Sequence, residues 1–313
     1  MKTHTFFGIQ KKVFNAFERS EFDEVLKLID EAEIELPKRR EKYCFWRACA
    51  FARMGEKEKA ISVLQEALSL DVWWNPNTLM RDKDLSSLHE EDEFQLIIQR
   101  CQSILETQEL KEALFVPFGN EHAKTGIFSI HWRGSNIEDF APFWLEENDY
   151  LIGFPQSSQS YASNSYCWDN HEKAIAEVKD SVEKFYEQYE FDNFIVAGTS
   201  QGGKLSIELA LDKKYTNVKG FIAVIPAIEN ITTFESLIVN ANKPNLKGCI
   251  ITGDQDPFYE KTMELVEIFK QNGIECSIFV TEGLGHFFPD NFSQQLKKAV
   301  DFINKGEFNG NQV

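Results

Sequence analysis

The sequence predicts an α/β domain with a mostly parallel sheet over residues 112–313, preceded by an all-α domain of helical hairpins over residues 1–111. Two observations carry this. From Val13 to Leu110 glycine is scarce and apolar residues recur three and four apart, the period of helices that bury one face. Beyond residue 112 short apolar runs alternate with amphipathic stretches, the strand–helix–strand texture of a parallel sheet. The change of texture puts the boundary at about Lys111.

In the first part, Val25, Leu26, Ile29 and Ala32 form one apolar stripe, and Ala60, Val63, Leu64, Ala67 and Leu68 another. Ala48, Phe51, Gly55, Ala60, Leu64 and Ala67 match the small and large positions of a tetratricopeptide unit, with Gly55 in its turn. Val13, Ala16, Ser20, Val25, Ile29 and Ala32 repeat the spacing 35 residues earlier. Small residues let paired helices approach and larger ones fill between pairs. This part therefore resembles a short tetratricopeptide (TPR-like) array that ends in a less regular helical segment around Phe94–Leu105. The plainer alternative is a helical extension packed on the next domain. An array of this kind offers a surface for a protein partner, for self-association with a second copy of the chain, or for the following domain.

In the second part the expected strands are Leu114–Phe118, Gly126–His131, Tyr150–Phe154, Phe194–Gly198, Gly220–Ile225, Gly248–Thr252 and Cys276–Val280. The expected helices are His171–Tyr189, Gln201–Leu211, Pro257–Asn272 and Gln294–Asn304. The 33 Lys and Arg against 50 Asp and Glu give a net charge of -17, which repels phosphate backbones and anionic lipid. Nucleic acid and membrane surfaces are thus poor partners. Met1–Gln10 lacks a signal-peptide core, and the apolar runs are strand-sized. The cysteines, Cys44, Cys49, Cys101, Cys167, Cys249 and Cys276, show no Cys-x-x-Cys pair and no zinc-like spacing. They read as reduced thiols in a cytoplasmic protein.

The chemistry centres on Phe194-Ile195-Val196-Ala197-Gly198-Thr199-Ser200-Gln201-Gly202-Gly203. An apolar strand runs into Gly-x-Ser-x-Gly and a helix follows, the context of a nucleophile elbow. The turn is too sharp for side chains two positions either side of the serine, which accounts for Gly198 and Gly202. A serine hydroxyl needs a base, and the base an orienting acid. With this elbow the acid and then the histidine follow the serine in the chain. His286, in Gly283-Leu284-Gly285-His286, is the one histidine beyond Ser200. Gly253-Asp254-Gln255-Asp256-Pro257 supplies two carboxylates; Asp256 is the expected triad acid, with Asp254 as a turn residue and the reserve. Asp256 also suits a helix cap before Pro257. The oxyanion donors expected are the backbone N–H of Gln201 and one from the loop Ile130-His131-Trp132-Arg133-Gly134, with Arg133 ahead of Trp132. His131 reads as a structural histidine of that loop, and Tyr166, Trp168, Phe287 and Phe288 as candidates to line a pocket.

Taken together, Ser200-Gln201-Gly202-Gly203, Gly253-Asp254-Gln255-Asp256-Pro257 and Gly285-His286 resemble the carboxylesterase, phospholipase and acyl-protein thioesterase branch of the α/β-hydrolase superfamily. The resemblance implies an α/β-hydrolase fold and cleavage of a small-molecule carboxylic ester or thioester, with no metal or organic cofactor. The branch usually has His-Gly where this chain has His131-Trp132, a tryptophan placed to narrow the pocket or reshape the oxyanion loop. Only Glu229–Asn245 has room for a lid, which argues against a lipase working at an oil interface. Two rival readings stand beside it. One is a catalytically idle scaffold whose helical part binds a protein partner. The other is the same triad cleaving a peptide or a carbon–carbon bond.

Overall fold

The computed structural model describes residues 6–109, 111–145, 149–215, 217–241 and 245–305. The chain forms two compact units, Met1–Leu110 with Ser160–Ser165, and Lys111–Gln159 with Tyr166–Val313.

The first unit contains helices α1 (Phe6–Glu18), α2 (Phe22–Glu35), α3 (Arg40–Arg53), α4 (Lys57–Ser69), α5 (Pro76–Arg81) and α6 (Asp92–Thr107). The 35-residue spacing in the sequence corresponds to two hairpins, α1–α2 and α3–α4. Each turns through a left-handed residue, Ser20 (φ 58°) and Gly55 (φ 80°). In both, an N–H just past the turn reaches back to the preceding helix, Glu21 to Ala16 and Glu56 to Phe51, at 2.9 Å each. The expected small positions Ala48, Ala60 and Ala67 are buried, in a core with Leu64, Leu79, Leu88 and Phe94. Val13, Ala16, Val25 and Ile29 join Tyr43 and Trp46 in a second cluster. Ser160–Ser165 belongs to this unit through backbone and side chains: Ser163 N donates to Trp73 O, Trp73 N donates to Ser163 Oγ, and the Tyr161 hydroxyl meets Thr78 Oγ1 at 2.8 Å.

The second unit is built on seven strands: β1 (Leu114–Gly119), β2 (Thr125–Ile130), β3 (Leu151–Gln156), β6 (Asn193–Thr199), β7 (Val218–Val224), β8 (Lys247–Gly253) and β9 (Glu275–Thr281). Their order is β1-β3-β2-β6-β7-β8-β9, and β1 alone runs antiparallel, to β3. Two short strands, β4 (Gln159–Ala162) and β5 (Ser165–Cys167), form a separate pair. The helices are α7 (Ile137–Trp144), α8 (His171–Gln188), α9 (Gln201–Leu211), α10 (Thr232–Ala241), α11 (Tyr259–Gln271) and α12 (Phe292–Lys305).

The pleat sorts the strand residues between two cores. On β6, Phe194 and Val196 face a cluster built with α8, α9, α10 and α11, while Ile195 and Ala197 face one built with α7 and α12. Burial on both faces is why these strands read as continuous apolar runs. All seven expected strands are strands of the main sheet, and the four expected helices are α8, α9, α11 and α12. The sequence reading missed α7, α10 and the β4–β5 pair. α7 is eight residues long, with Pro142 inside and no polar stripe beyond its first turn. α10 occupies the stretch expected to have room for a lid, and Phe234, Ile238 and Ala241 pack it into the core. Residues 242–244 of that stretch lie outside the described residues. No helix among the described residues is long and apolar enough to cross a membrane.

Candidate active site

Every candidate residue sits just beyond the carboxyl end of a parallel strand: Trp132 and Arg133 after β2, Ser200 after β6, Asp256 after β8 and His286 after β9. That end of an open α/β sheet is where loops converge on a crevice. Ser200 has φ 55° and ψ -115°, a conformation that L-residues rarely adopt. The glycines explain how it is tolerated. A Cβ on Gly198 would lie 2.2 Å from the Gly202 carbonyl oxygen, and one on Gly202 would lie 2.2 Å from that of Ile130. The Ser200 N–H donates to Val224 O (2.9 Å), and its own carbonyl accepts from Ala227 (3.0 Å).

The structure brings the serine, histidine and aspartate together. Ser200 Oγ lies 2.8 Å from His286 Nε2, and His286 Nδ1 lies 2.7 Å from Asp256 Oδ2. The Asp256 side chain is 1% exposed, whereas that of His286 is 30% exposed. A carboxylate this buried keeps little of its hydration and directs its charge at the imidazole. The other oxygen, Asp256 Oδ1, accepts from the Phe258 N–H at 2.7 Å, so the residue also caps the turn into α11. The two sequence readings of Asp256 are therefore compatible, one oxygen serving each.

Asp254 is farther-reaching than a local turn residue. Its Oδ1 accepts from the Gly283 N–H at 2.7 Å, 29 residues on, and Gln255 N donates to Leu284 O at 3.0 Å. These bonds strap the acid loop to the loop that carries His286. Gly253 permits the approach, since a Cβ there would sit 2.0 Å from Leu284 O.

Gln201 opens α9, so its N–H belongs to a helical turn with no internal carbonyl to bind. Its side chain is held at both ends, Oε1 accepting from Trp168 N (2.8 Å) and Nε2 donating to Asp169 Oδ1 (2.9 Å). Asp169 also binds Arg133 Nη2 at 2.6 Å. Burial pushes the Asp169 carboxyl up, but the hydrogen bonds from Arg133 and Gln201 outweigh it and leave it below its ordinary value. Gly134 N is engaged with Tyr166 O (2.8 Å).

A pocket of about 400 Å³ opens over Ser200, lined among others by Arg133, Trp168, Gln201, Lys204 and Phe258. Trp132 does not line it. Its indole packs edge-on against Phe140, Phe143 and Phe288, in the core under α7 and α12. Of the two effects expected of this tryptophan, it does not narrow the pocket, and it bears on the loop by anchoring it. Of the four expected aromatics, Trp168 alone lines the pocket. Phe287 and Phe288 join the aromatic cluster around Phe143, and Tyr166 pairs by its backbone with Ser135.

His131 is fully buried, as a structural residue should be. Its Nε2 accepts from Ser157 N (3.3 Å), which leaves the proton on Nδ1 to donate to Trp132 O (2.8 Å). Burial holds this imidazole down at about 4. Ser157 is anchored in turn: Glu177 accepts from Ser157 Oγ (3.0 Å), Ser158 N (3.1 Å) and Ser158 Oγ. Sequence reasoning missed Glu177, Ser157, Asp169 and the side-chain role of Gln201. Only Asn170, whose side chain caps α8 by accepting from Lys173 N at 3.0 Å, carried a readable signal nearby.

All six cysteines are free, and burial pushes every thiol up: Cys44 to about 11, Cys167 to about 12, and the rest also above their ordinary range. Cys49, Asp82 and Asp84 gather three possible metal ligands within 4.8 Å. The Arg53 guanidinium already binds Asp84 at 2.5 Å, so one of the three is paired with a cation of the chain's own.

Residues 5–109 match the model of the family described as A/B hydrolase-like, N-terminal domain. The helical part expected to be tetratricopeptide-like is thus matched under another description. A comparison with curated proteins finds no match. Among solved structures, an uncharacterized protein from Bacillus cereus ATCC 10987 is 24% identical, with 97% of this chain and 100% of that one covered and a TM-score of 0.55. Esterase PE8 is 17% identical over 62% of this chain and 100% of its own, with a TM-score of 0.53. Zea mays acyl-protein thioesterase 2 is 12% identical over 61% of this chain and 98% of its own, with a TM-score of 0.50. Identities this low speak to fold alone, and the fold is the α/β-hydrolase fold.

Proposed function

We propose that this chain of α/β-hydrolase fold is a serine hydrolase that cleaves a carboxylic ester or thioester through an acyl-enzyme. The observation that carries the reading is the continuous relay from Asp256 through His286 to a strained, pocket-facing Ser200, at 2.7 and 2.8 Å. An esterase and an acyl-protein thioesterase among the structural relatives support the class.

In this reading the Ser200 hydroxyl gives its proton to His286 Nε2 as Oγ attacks the carbonyl carbon. Asp256 holds the imidazole by Nδ1 and stabilises the cation that forms. The Gln201 N–H and a donor from the 131–134 loop bind the oxyanion, and Arg133 is favoured over Trp132 because it borders the pocket. The carbon–oxygen or carbon–sulfur bond then breaks, and His286 returns the proton to the leaving group. Water, deprotonated by His286, hydrolyses the acyl-Ser200 ester.

The test is a panel of p-nitrophenyl esters and acyl thioesters against wild type, Asp256→Asn and Asp254→Asn. The reading expects turnover of at least one class, a loss of about 10⁴-fold for Asp256→Asn, and a much smaller loss for Asp254→Asn. The reverse order would make Asp254 the acid. No turnover by folded protein would favour the idle scaffold.

A further inference from the structure

A second cleft, of about 560 Å³, lies between α8, α9 and α10 and shares His171 with the pocket over Ser200. Its walls are single helical stripes: His171, Ile175 and Lys179 on α8, and Thr233, Leu237 and Asn240 on α10. Its floor is α9, the helix that begins directly after the nucleophile. Leu205 lines the catalytic pocket and Leu209, one turn on, lines the cleft. The two cavities thus adjoin at His171, side by side along α9.

The cleft holds a buried charge. Glu208 has its side chain 5% exposed and borders the cleft among Ile175, Leu209, Leu211 and Leu237. Its Oε2 lies 2.7 Å from His171 Nε2, but its Oε1 is buried with no hydrogen-bond partner. A buried carboxylate oxygen without a donor is costly, and none of the donors along the cleft, Lys179, Lys213, Thr233, Ser236 and Asn240, reaches this one. The catalytic machinery described above makes no use of it.

Resting on the hydrolase reading, we propose that this cleft is the acyl-chain subsite, and that it selects chains with an apolar body and a hydrogen-bond donor, a hydroxyl or an amine, near the far end. The direction follows from the sheet order. α8 packs on β1 and β3, on one side of β6, whereas Asp256 and His286 follow β8 and β9 on the other. The leaving group takes its proton from His286, so the acyl group extends the other way, towards His171. Glu208 is eight residues beyond Ser200, about 12 Å of helix, which a chain of about ten carbons spans.

The experiment compares p-nitrophenyl acetate, decanoate, 10-hydroxydecanoate and 10-aminodecanoate on wild type, Leu237→Trp and Glu208→Gln. A calorimetric titration of Ser200→Ala protein with 10-hydroxydecanoate and decanoate runs beside it. The proposal expects kcat/KM about tenfold higher for a donor-bearing chain than for decanoate, the worth of a hydrogen bond to a charged acceptor. The hydroxyl and amino arms tell which donor is preferred. Leu237→Trp should cut decanoate and its derivatives about tenfold or more and leave acetate unchanged, and Glu208→Gln, which keeps one acceptor oxygen but loses the charge, should weaken the donor preference, most of all for the amine. Acetate turnover with no effect of chain, donor or Leu237→Trp would overturn the subsite and leave the hydrolase reading standing. If folded wild type cleaves none of these esters and no acyl thioester, that reading fails. Calorimetry still decides the cleft, because equal or absent binding of the two acids contradicts it.

Discussion

The turn at Ser200 and the loop 131–134 border the same pocket, and they are held in place by different means. Around Ser200 the backbone does the holding: Gly198 and Gly202 let main chain approach main chain, and Val224 O and Ala227 N bracket the serine. Around residues 131–134 the side chains do it: His131 to Ser157, Ser157 to Glu177, Trp132 into the aromatic core, and Arg133 to Asp169. A backbone device leaves a mark in sequence, because only glycine meets its steric demand. A side-chain relay drawn from four separate elements leaves none.

The sharpest break should come where the two regions touch. A Cβ on Gly202 would lie 2.2 Å from Ile130 O and 2.6 Å from His131 O, so Gly202→Ala forces both apart. It should cost more than about 4 kcal/mol and yield little folded protein, read by thermal denaturation and expression. Near-native melting would show that the backbone contact is softer than argued.

Glu177→Gln probes the relay on the other side. An amide presents a single acceptor oxygen in place of the carboxylate that takes three bonds from Ser157 and Ser158. Stability should fall by about 2 kcal/mol. Ester turnover should fall with KM little changed, since the loop acts on the transition state more than on the bound substrate. An unchanged rate would detach Glu177 from the oxyanion loop.

His131 supplies the pH signature of the same relay. Its imidazole sits at about 4 against an ordinary 6.5, so the unfolded chain takes up a proton more readily than the folded one. The stability this group contributes is complete above pH 6.5, declines as pH falls, and is lost by about pH 4, in all roughly 3 kcal/mol. Denaturant melts of wild type and His131→Gln should converge in their pH dependence only above that window. Parallel curves throughout would mean the imidazole is solvated.

The smallest effect belongs to the nucleophile turn. Ser200 carries a left-handed φ that glycine adopts freely. Ser200→Gly should therefore raise stability by about 1 kcal/mol while removing activity. A destabilised variant would show that the turn is unstrained.

This contrast also explains what was legible in the sequence. The main-sheet strands were readable because parallel strands buried on both faces are unbroken apolar runs. Ser200, Asp256 and His286 were reachable because each follows such a run beside glycine. α7 and α10 were missed because the first is too short, and too uniformly apolar beyond its first turn, to show a helical stripe. The second was masked by polar residues on its outer face, Glu235, Ser236 and Asn240 among them. The place of Trp132 could not be read either, since its partners Phe140, Phe143 and Phe288 are brought together only by the tertiary fold.

The most direct test of the central claim is labelling with a fluorophosphonate probe, followed by mass mapping of the modified peptide. The probe needs an activated serine and an oxyanion site but no knowledge of the substrate. A serine hydrolase should carry a single adduct on Ser200, absent in Ser200→Ala and strongly slowed in His286→Ala. Folded wild-type protein that remains unlabelled, or labelling that survives in Ser200→Ala, would contradict it.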